Sequence, residues 1–370
     1  MSRDADVIVI GAGIVGAACA HDLAQSGLQV RVLDDRRGGA TAAGMGHLVV
    51  MDDSPAELAL SHFSLQRWHE WAPVLHGDCA WSPCGTLWIA ANEAEMAAAH
   101  DKQRTLQTHG LDCHLVTAHA LQAMEPALRP GLAGALHVPG DSAVYAPNAA
   151  RWLLNRCPDR IQVQQATVLA IEDGRVQLDN RQWLHASAVV LANGIHATQL
   201  CPELPITPKK GQLLITDRYP GEVHHQLVEL GYITSAHHST GPSVAFNLQP
   251  RPTGQLLLGS SRQFDSTSSE VDADMMAHML DRALTYMPGL ADLNAIRCWT
   301  GLRAATPDGL PLVGPHPTRP SLYVAVGHEG LGVTTAPATA QLLAAQITGG
   351  TPTIDPTPYA PARFAGLSHP

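Results

Sequence analysis

Lysine is nearly absent from this chain. Lys102, Lys209 and Lys210 are the only three in 370 residues, and the formal net charge is −10. Such a balance lacks the basic surface that nucleic acids or anionic membranes require. No apolar run approaches the roughly 18 residues needed to cross a bilayer. The first strand-like stretch starts at residue 7, which leaves no room for a signal peptide, so a cytoplasmic protein is expected. The seven cysteines (Cys19, Cys79, Cys84, Cys113, Cys157, Cys201, Cys298) are odd in number, scattered and without a C-x-x-C pair. That speaks against a disulfide framework and against an iron–sulfur cluster. The 20 histidines contain neither H-x-x-x-H nor H-E-x-x-H, and no metal is expected. Internal repeats and low-complexity tracts are also missing. What remains is an ordinary globular balance, 45% hydrophobic and 15% charged, long enough for two domains or one large α/β unit.

The most informative stretch present is VIVIGAGIVGAACAHDLAQSGLQVRVLDD, residues 7–35. It reads as strand, glycine turn, helix and a second strand ending in Asp34 and Asp35. The turn, Gly11-Ala12-Gly13-Ile14-Val15-Gly16, is a G-x-G-x-x-G. Gly11 permits the tight turn, Gly13 lets backbone approach a pyrophosphate, and Gly16 lets helix and strand pack closely. Free N–H groups and the helix dipole favour the negative phosphates there. Asp34 is placed to accept hydrogen bonds from a ribose. With a strand before it, a helix after it and an acid about twenty residues on, this signal is strong.

Further along, residues 55–71 have helical apolar spacing, 84–91 read as a strand, 92–109 as an exposed helix and 119–128 as a short helix. Pro147 favours a helix start near 146. Residues 162–194 read as strands with a hairpin turn at Asp173-Gly174, ending in the buried run AVVLANG. Residues 210–263 supply more strands and 271–287 a helix. A last strand, LYVAVG, leads through a glycine loop into a final helix, and the last twenty residues are Pro-rich. The glycine signals at 11–16, 192–194 and 327–332 are far apart but expected to meet on one ligand. The expected organisation is a discontinuous nucleotide domain (1–80, 140–209 and 296–370) with a substrate-binding domain (81–139 and 210–295).

Five segments carry a family likeness: GAGIVG with Asp34, GATAAGMGH (39–47), VVLANG (189–194), WTGLRAATPDGLPLVG (299–314) and GHEGLGVTTAPAT (327–339). On these the chain resembles the D-amino acid oxidase superfamily of FAD-dependent amine oxidoreductases, whose members include glycine oxidase, sarcosine oxidase and a hydrogen cyanide synthase subunit. GATAAGMGHLVVMDDSPAELAL and FNLQPRPTGQLLLGSSRQF look most like the FAD subunit of bacterial D-hydroxyproline dehydrogenases. The resemblance implies an α/β fold: a discontinuous Rossmann-like FAD domain and an antiparallel sheet roofing a noncovalent flavin. A second flavin at a subunit junction is compatible with it.

The resemblance also implies roles. Thr41, Ala42, Ala43, Gly44 and Met45 match the segment along the pyrophosphate and ribityl chain, and Val168 the place where backbone reads adenine. Ala192, Asn193 and Gly194 end a strand at the cofactor face. Gly301, Gly327, His328, Gly330, Leu331, Gly332, Val333 and Thr334 belong to the pieces that approach the flavin, where a helix start stabilises its reduced anion. Arg303 matches the arginine that holds the substrate carboxylate, a task suited to the guanidinium fork; the alternative for it is a structural pair with Asp308 or another acid. Glycine oxidase carries an arginine where this chain has Gly330, so a second carboxylate anchor is not expected there. His47 is expected over the flavin or satisfied by backbone, and His328 at flavin or substrate or purely structural. Asn247 and Gln249 lie on one side of a strand and are candidates for a ring hydroxyl.

The implied reaction is oxidation of a Cα–N bond to the imine by hydride transfer to flavin N5, on a small cyclic secondary D-amino acid, with D-hydroxyproline first. Positioning carries much of such catalysis. Some relatives place a lysine above the flavin to promote reaction with oxygen, and none of the three lysines falls in the FNLQP strand. Cys298 lies several residues too early for the covalent attachment some relatives use. Electrons are therefore expected to leave to a partner, an electron-accepting flavoprotein with a small iron–sulfur subunit. Two alternatives stay open: a glycine- or sarcosine-type oxidase that makes peroxide, and a non-catalytic flavin-bound scaffold subunit.

Overall fold

A six-stranded sheet forms the base of the computed structural model, which describes residues 3–231, 242–264 and 266–364. Its order is β18 (Leu312–His316), β19 (Arg319–Val326), β12 (Ala188–Leu191), β1 (Val7–Ile10), β2 (Val30–Asp34) and β8 (Ile161–Gln165). All neighbours pair in parallel except β18 with β19. β1 and β12 are buried along their whole length, as unbroken apolar runs demand when both faces of a parallel sheet are covered. The chain enters this sheet at β1 and β2, leaves, returns at β8 and β12, leaves again and closes it with β18 and β19. Chain segments far apart in sequence therefore end side by side.

An eight-stranded sheet stands over it, ordered β17 (Ala295–Ala305), β13 (Thr207–Arg218), β16 (Gln255–Phe264), β15 (Ser243–Pro250), β14 (Gln226–Glu229), β4 (Thr86–Ala90), β6 (Gly134–Val138) and β5 (His114–Thr117). Every pairing but β4 with β14 is antiparallel. Residues 296–305, grouped by sequence with the nucleotide-binding part, are hydrogen-bonded here as an edge strand. Two small sheets complete the molecule: β9 (Val168–Glu172), β10 (Arg175–Leu178) and β11 (Trp183–His185), with the expected hairpin at Asp173-Gly174, and β3 (His47–Leu48) paired with β7 (Ser142–Ala143).

Two helices pack together on the base sheet, Ile14–Gln25 and Gly332–Thr348, and both start at the same edge of it. The second contains Pro337, which removes the N–H that would bond the Val333 carbonyl. The Pro55–Trp71 helix supplies the missing partners. Trp68 Nε1 donates to the carbonyls of Val333 and Thr334, both at 3.1 Å, and Ser64 Oγ accepts from Ala338 N. Ser54 caps that supporting helix and Pro55 opens it. No helix among the described residues is long and apolar enough to cross a membrane.

Candidate functional site

The glycine turn closes as its residue types require. Gly11 has φ +106, and a Cβ there would lie 2.6 Å from the Ala192 carbonyl oxygen; a Cβ on Gly16 would overlap the Gly11 carbonyl. The turn is thus wedged against the end of β12. Asp34, at the end of β2, reaches back to it: Ala12 N donates to Oδ2 at 2.7 Å and Arg36 N to Oδ1 at 2.8 Å. Each carboxylate oxygen keeps a lone pair for a ribose hydroxyl. Asp35 is taken up by its own turn, in an ion pair with Arg37 at 2.6 Å. Ala166 N bonds the Asp34 carbonyl at 3.1 Å, which brings the start of β9 and half-buried Val168 beside the same strand end.

Three separate segments meet this turn. Thr41 Oγ1 accepts from Ile14 N at 3.0 Å and stands 3.1 Å from the Cβ position of Gly13. Val15 Cγ2 is 3.8 Å from the Cβ position of Gly332, so the two helix starts are neighbours. Asn193 Oδ1 is buried with no hydrogen-bond partner, next to Gly11. Ala42, Gly44 and Gly330 stay exposed, and Gly13, Thr41, Ala43, Gly194, Leu331 and Gly332 half-exposed, around an otherwise buried core. Two helix N-termini, an orphan acceptor and an accessible run of small residues fit a long dinucleotide that covers them.

From the turn, residues 43–47 run beneath the eight-stranded sheet, crossing its strands in order. Ala43 lies against Gly301 of β17, and Trp299 Nε1 donates to the Ala43 carbonyl at 3.0 Å. Met45 packs with Leu213 of β13 and Leu257 of β16, and its sulfur is 3.0 Å from the Cβ position of Gly259. His47 faces Gln226 of β14 and Asn247 of β15, and its backbone carbonyl accepts from Thr334 Oγ1 at 2.9 Å. Burial lowers the His47 imidazole to about 4, with a further push from the charge of Arg251. At neutral pH the ring is uncharged.

Arg303, on β17, crosses Gly211 of β13, whose Cβ position would be 2.6 Å from the guanidinium, and Nη1 donates to the Ser261 carbonyl of β16 at 3.0 Å. Gly330 comes within 3.7 Å of its Nε, counted from the Cβ position. The guanidinium is half-buried between the sheet and the loop that starts the Gly332–Thr348 helix. Asp308, the acid weighed as its partner, is held by Arg363 instead, at 2.7 and 3.0 Å. Next to Arg303 in register, Lys209 pairs with Glu329 at 3.2 Å.

The other candidates are placed less centrally. His328 is buried, its Nε2 2.9 Å from Thr339 Oγ1 inside the final helix, and burial lowers it to about 3. Gln249 is fully buried, and both ends of its amide are engaged: Nε2 donates to Gln226 Oε1 at 3.1 Å and Oε1 accepts from Arg251 Nη1 at 2.6 Å. Asn247 differs: its Oδ1 is buried and makes no full hydrogen bond to a described residue, with the His47 ring as its polar neighbour. Gly327 packs on Thr306. Cys298 is exposed on the outer edge strand. Motif reading misses Arg251; its signal is the strand alternation that already links 247 and 249.

A family model described as FAD dependent oxidoreductase, DAO, matches residues 6–346. The chain belongs to this family. It is 27% identical to a glycine oxidase of Pseudomonas aeruginosa over 388 residues, covering 96% of this chain and 98% of that protein. It is 25% identical to an opine oxidase subunit of Rhizobium meliloti, covering 98% of each. The crystal structure of glycine oxidase from Geobacillus kaustophilus superposes with a TM-score of 0.86 at 25% identity, over 98% of this chain and 99% of that one. The protein is an FAD-dependent oxidoreductase, and the D-amino acid oxidase resemblance, the fold class and the FAD expected from sequence hold. Gly11, Gly13, Asp34, Thr41 and Asn193 are the residues whose geometry suits the FAD.

Proposed function

We propose that this chain is a dehydrogenase that oxidises the Cα–N bond of a small amino acid, with D-hydroxyproline as the first candidate, and passes the electrons to a partner subunit. The observation that carries the reading is Arg303. Its half-buried guanidinium is tethered to the Ser261 carbonyl and lies between the roofing sheet and Gly330, in the loop that starts the Gly332–Thr348 helix. A carboxylate bound there is fixed by parallel N–H donors, and the Cα–H is presented from a defined direction. FAD, when bound, supplies the two-electron acceptor. Neutral His47 and the unpartnered Asn247 Oδ1 give the other end of the site acceptor groups without adding a charge.

Oxidation through a partner is supported by two features. Lys209 is engaged by Glu329, and Lys210 and Lys102 are buried elsewhere, with Lys102 paired to Asp52. The opine oxidase relative, similar over its whole length, is itself named as a subunit of its enzyme. A flavoprotein with a small iron–sulfur subunit is the proposed acceptor. The test is to turn the purified holoenzyme over with D-hydroxyproline in air and, separately, with an artificial dye acceptor. Dye reduction with little peroxide is expected; stoichiometric peroxide at a comparable rate would replace the dehydrogenase with an oxidase.

A further inference from the structure

We propose that Arg251 determines which amines this site accepts, by donating to an oxygen that the substrate carries at the end away from its α-carboxylate. This rests on the reading of Arg303 as the carboxylate anchor. Arg251 follows β15 and is half-buried. Its Nη1 donates to the Gln249 side chain at 2.6 Å and to the Met45 carbonyl at 3.2 Å. Its other guanidinium N–H groups make no hydrogen bond to a described residue, and no carboxylate of a described residue lies within ion-pair distance of it. Three other half-buried arginines do have acids: Arg262 meets Glu329, Arg282 meets Glu229 and Arg363 meets Asp308. A partly desolvated guanidinium without an acid is costly unless a ligand oxygen completes it. Burial accordingly lowers its pKa.

The group is also held in place. Gln249 and Gln226 are both fully buried and form a chain from Arg251 to Thr86 Oγ1 and the Ser142 carbonyl. Two buried glutamines thus aim one guanidinium without neutralising it. The direction follows from the segment below the sheet. Arg303 ends at Ser261, Gly259 is two residues along the same strand over Met45, and Arg251 ends at the Met45 carbonyl. The two guanidinium groups therefore lie along the same strip, where the Met45 segment passes under β16. A substrate bridging them carries a second oxygen group besides its α-carboxylate. A hydroxyl on a pyrrolidine ring or a second carboxylate on the amine nitrogen meets that condition; glycine and unsubstituted proline do not. The orphan Asn247 Oδ1 separates the two sources, because a hydroxyl can donate to it while Arg251 donates to the hydroxyl oxygen, and a carboxylate has no proton to give.

The test uses FAD-loaded wild type, Arg251→Gln and Arg251→Lys, with flavin content and Tm recorded for each. Anaerobic flavin reduction is measured with D-hydroxyproline against D-proline, and with iminodiacetate against sarcosine. At least a tenfold preference for one oxygen-bearing partner is expected in wild type, falling towards unity in Arg251→Gln and partly restored in Arg251→Lys. The pair that shows the preference identifies the oxygen as hydroxyl or carboxylate. A preference that survives Arg251→Gln, or its absence from wild type, overturns the proposal; if Arg251→Gln does not fold, the Arg251→Lys ratio decides, with an unchanged preference overturning it. Should no amine bleach the flavin, the reaction proposed above fails. Calorimetric binding of iminodiacetate and D-hydroxyproline then judges Arg251 separately: affinity lost in Arg251→Gln supports it, and affinity kept refutes it.

Discussion

The two sides of the cleft are built from different materials. The nucleotide side is mostly backbone: a glycine turn wedged against β12, two helix starts, and small residues at 41–44, 330 and 332. The proposed substrate side is side chains: Arg303 from β17, Asn247 from β15, His47 from the segment beneath and Arg251 from beyond a strand end. Backbone recognition tolerates no added atom, so its residue types are few and their spacing strict. Side-chain recognition needs only that strands distant in sequence bring tips together, and it can change without disturbing the scaffold.

That difference can be broken or sharpened by substitution, and the largest effect is expected on the backbone side. Gly16→Val forces side-chain atoms into the Gly11 carbonyl, overpacking that costs about 3 kcal/mol at the turn itself. The purified protein should come without flavin absorbance even when its circular dichroism stays native. Arg303→Ala should do the reverse: full flavin content, with kcat/KM down about a hundredfold, as for loss of a charge-assisted pair of hydrogen bonds. Arg303→Lys should recover only part of it, because the fork is lost. If Gly16→Val kept its flavin while Arg303→Ala lost it, the division of labour would be the wrong way round.

The third effect concerns pH. His328 is neutral in the fold, lowered to about 3 by burial, against about 6.5 in an unfolded chain. Above 6.5 neither state holds the proton and the group adds no pH dependence. Between 6.5 and 3 the unfolded chain binds the proton first, so stability falls as pH falls. At pH 5 this amounts to about 2 kcal/mol. Asp141, raised to about 7 by burial, works oppositely over its own range, so the difference between wild type and His328→Gln is the quantity to follow. The stability gap between them should shift in favour of the variant by that amount from pH 7 to pH 5; a constant gap would mean the ring is not buried neutral. The smallest effect is Trp68→Phe, which removes the donor from the Val333 and Thr334 carbonyls at the Pro337 break and should cost about 1–2 kcal/mol in urea unfolding.

Legibility from sequence divides along the same line. The turn at 11–16, Asp34 and the strand ends at 192–194 announce themselves, because strict spacing is the mark of backbone recognition. β1 and β12 follow from their unbroken apolar runs, and the main helices from apolar spacing. On the sheet side, Arg303 stands out through its motif alone. Gln249 points the right way on its strand, yet its amide is spent within the protein on Gln226 and Arg251. Alternation shows which side a residue faces, but not whether a buried neighbour already holds it. Arg251 carries no motif, and its proposed role rests on its lacking an acid among the described residues, which only the packed chain can show. His328 sits amid flavin-facing glycines in sequence, but the left-handed backbone at Glu329 and the turn into the helix send its ring inward to Thr339.

The central claim, that a backbone cradle for FAD faces a side-chain site for a small amino acid, is tested most directly by anaerobic mixing of the holoenzyme with a panel of amines. Bleaching of the flavin band by D-hydroxyproline, much faster than by glycine or sarcosine and slowed about a hundredfold in Arg303→Ala, is the expected result. Bleaching by glycine alone, or bleaching that ignores Arg303, would contradict it.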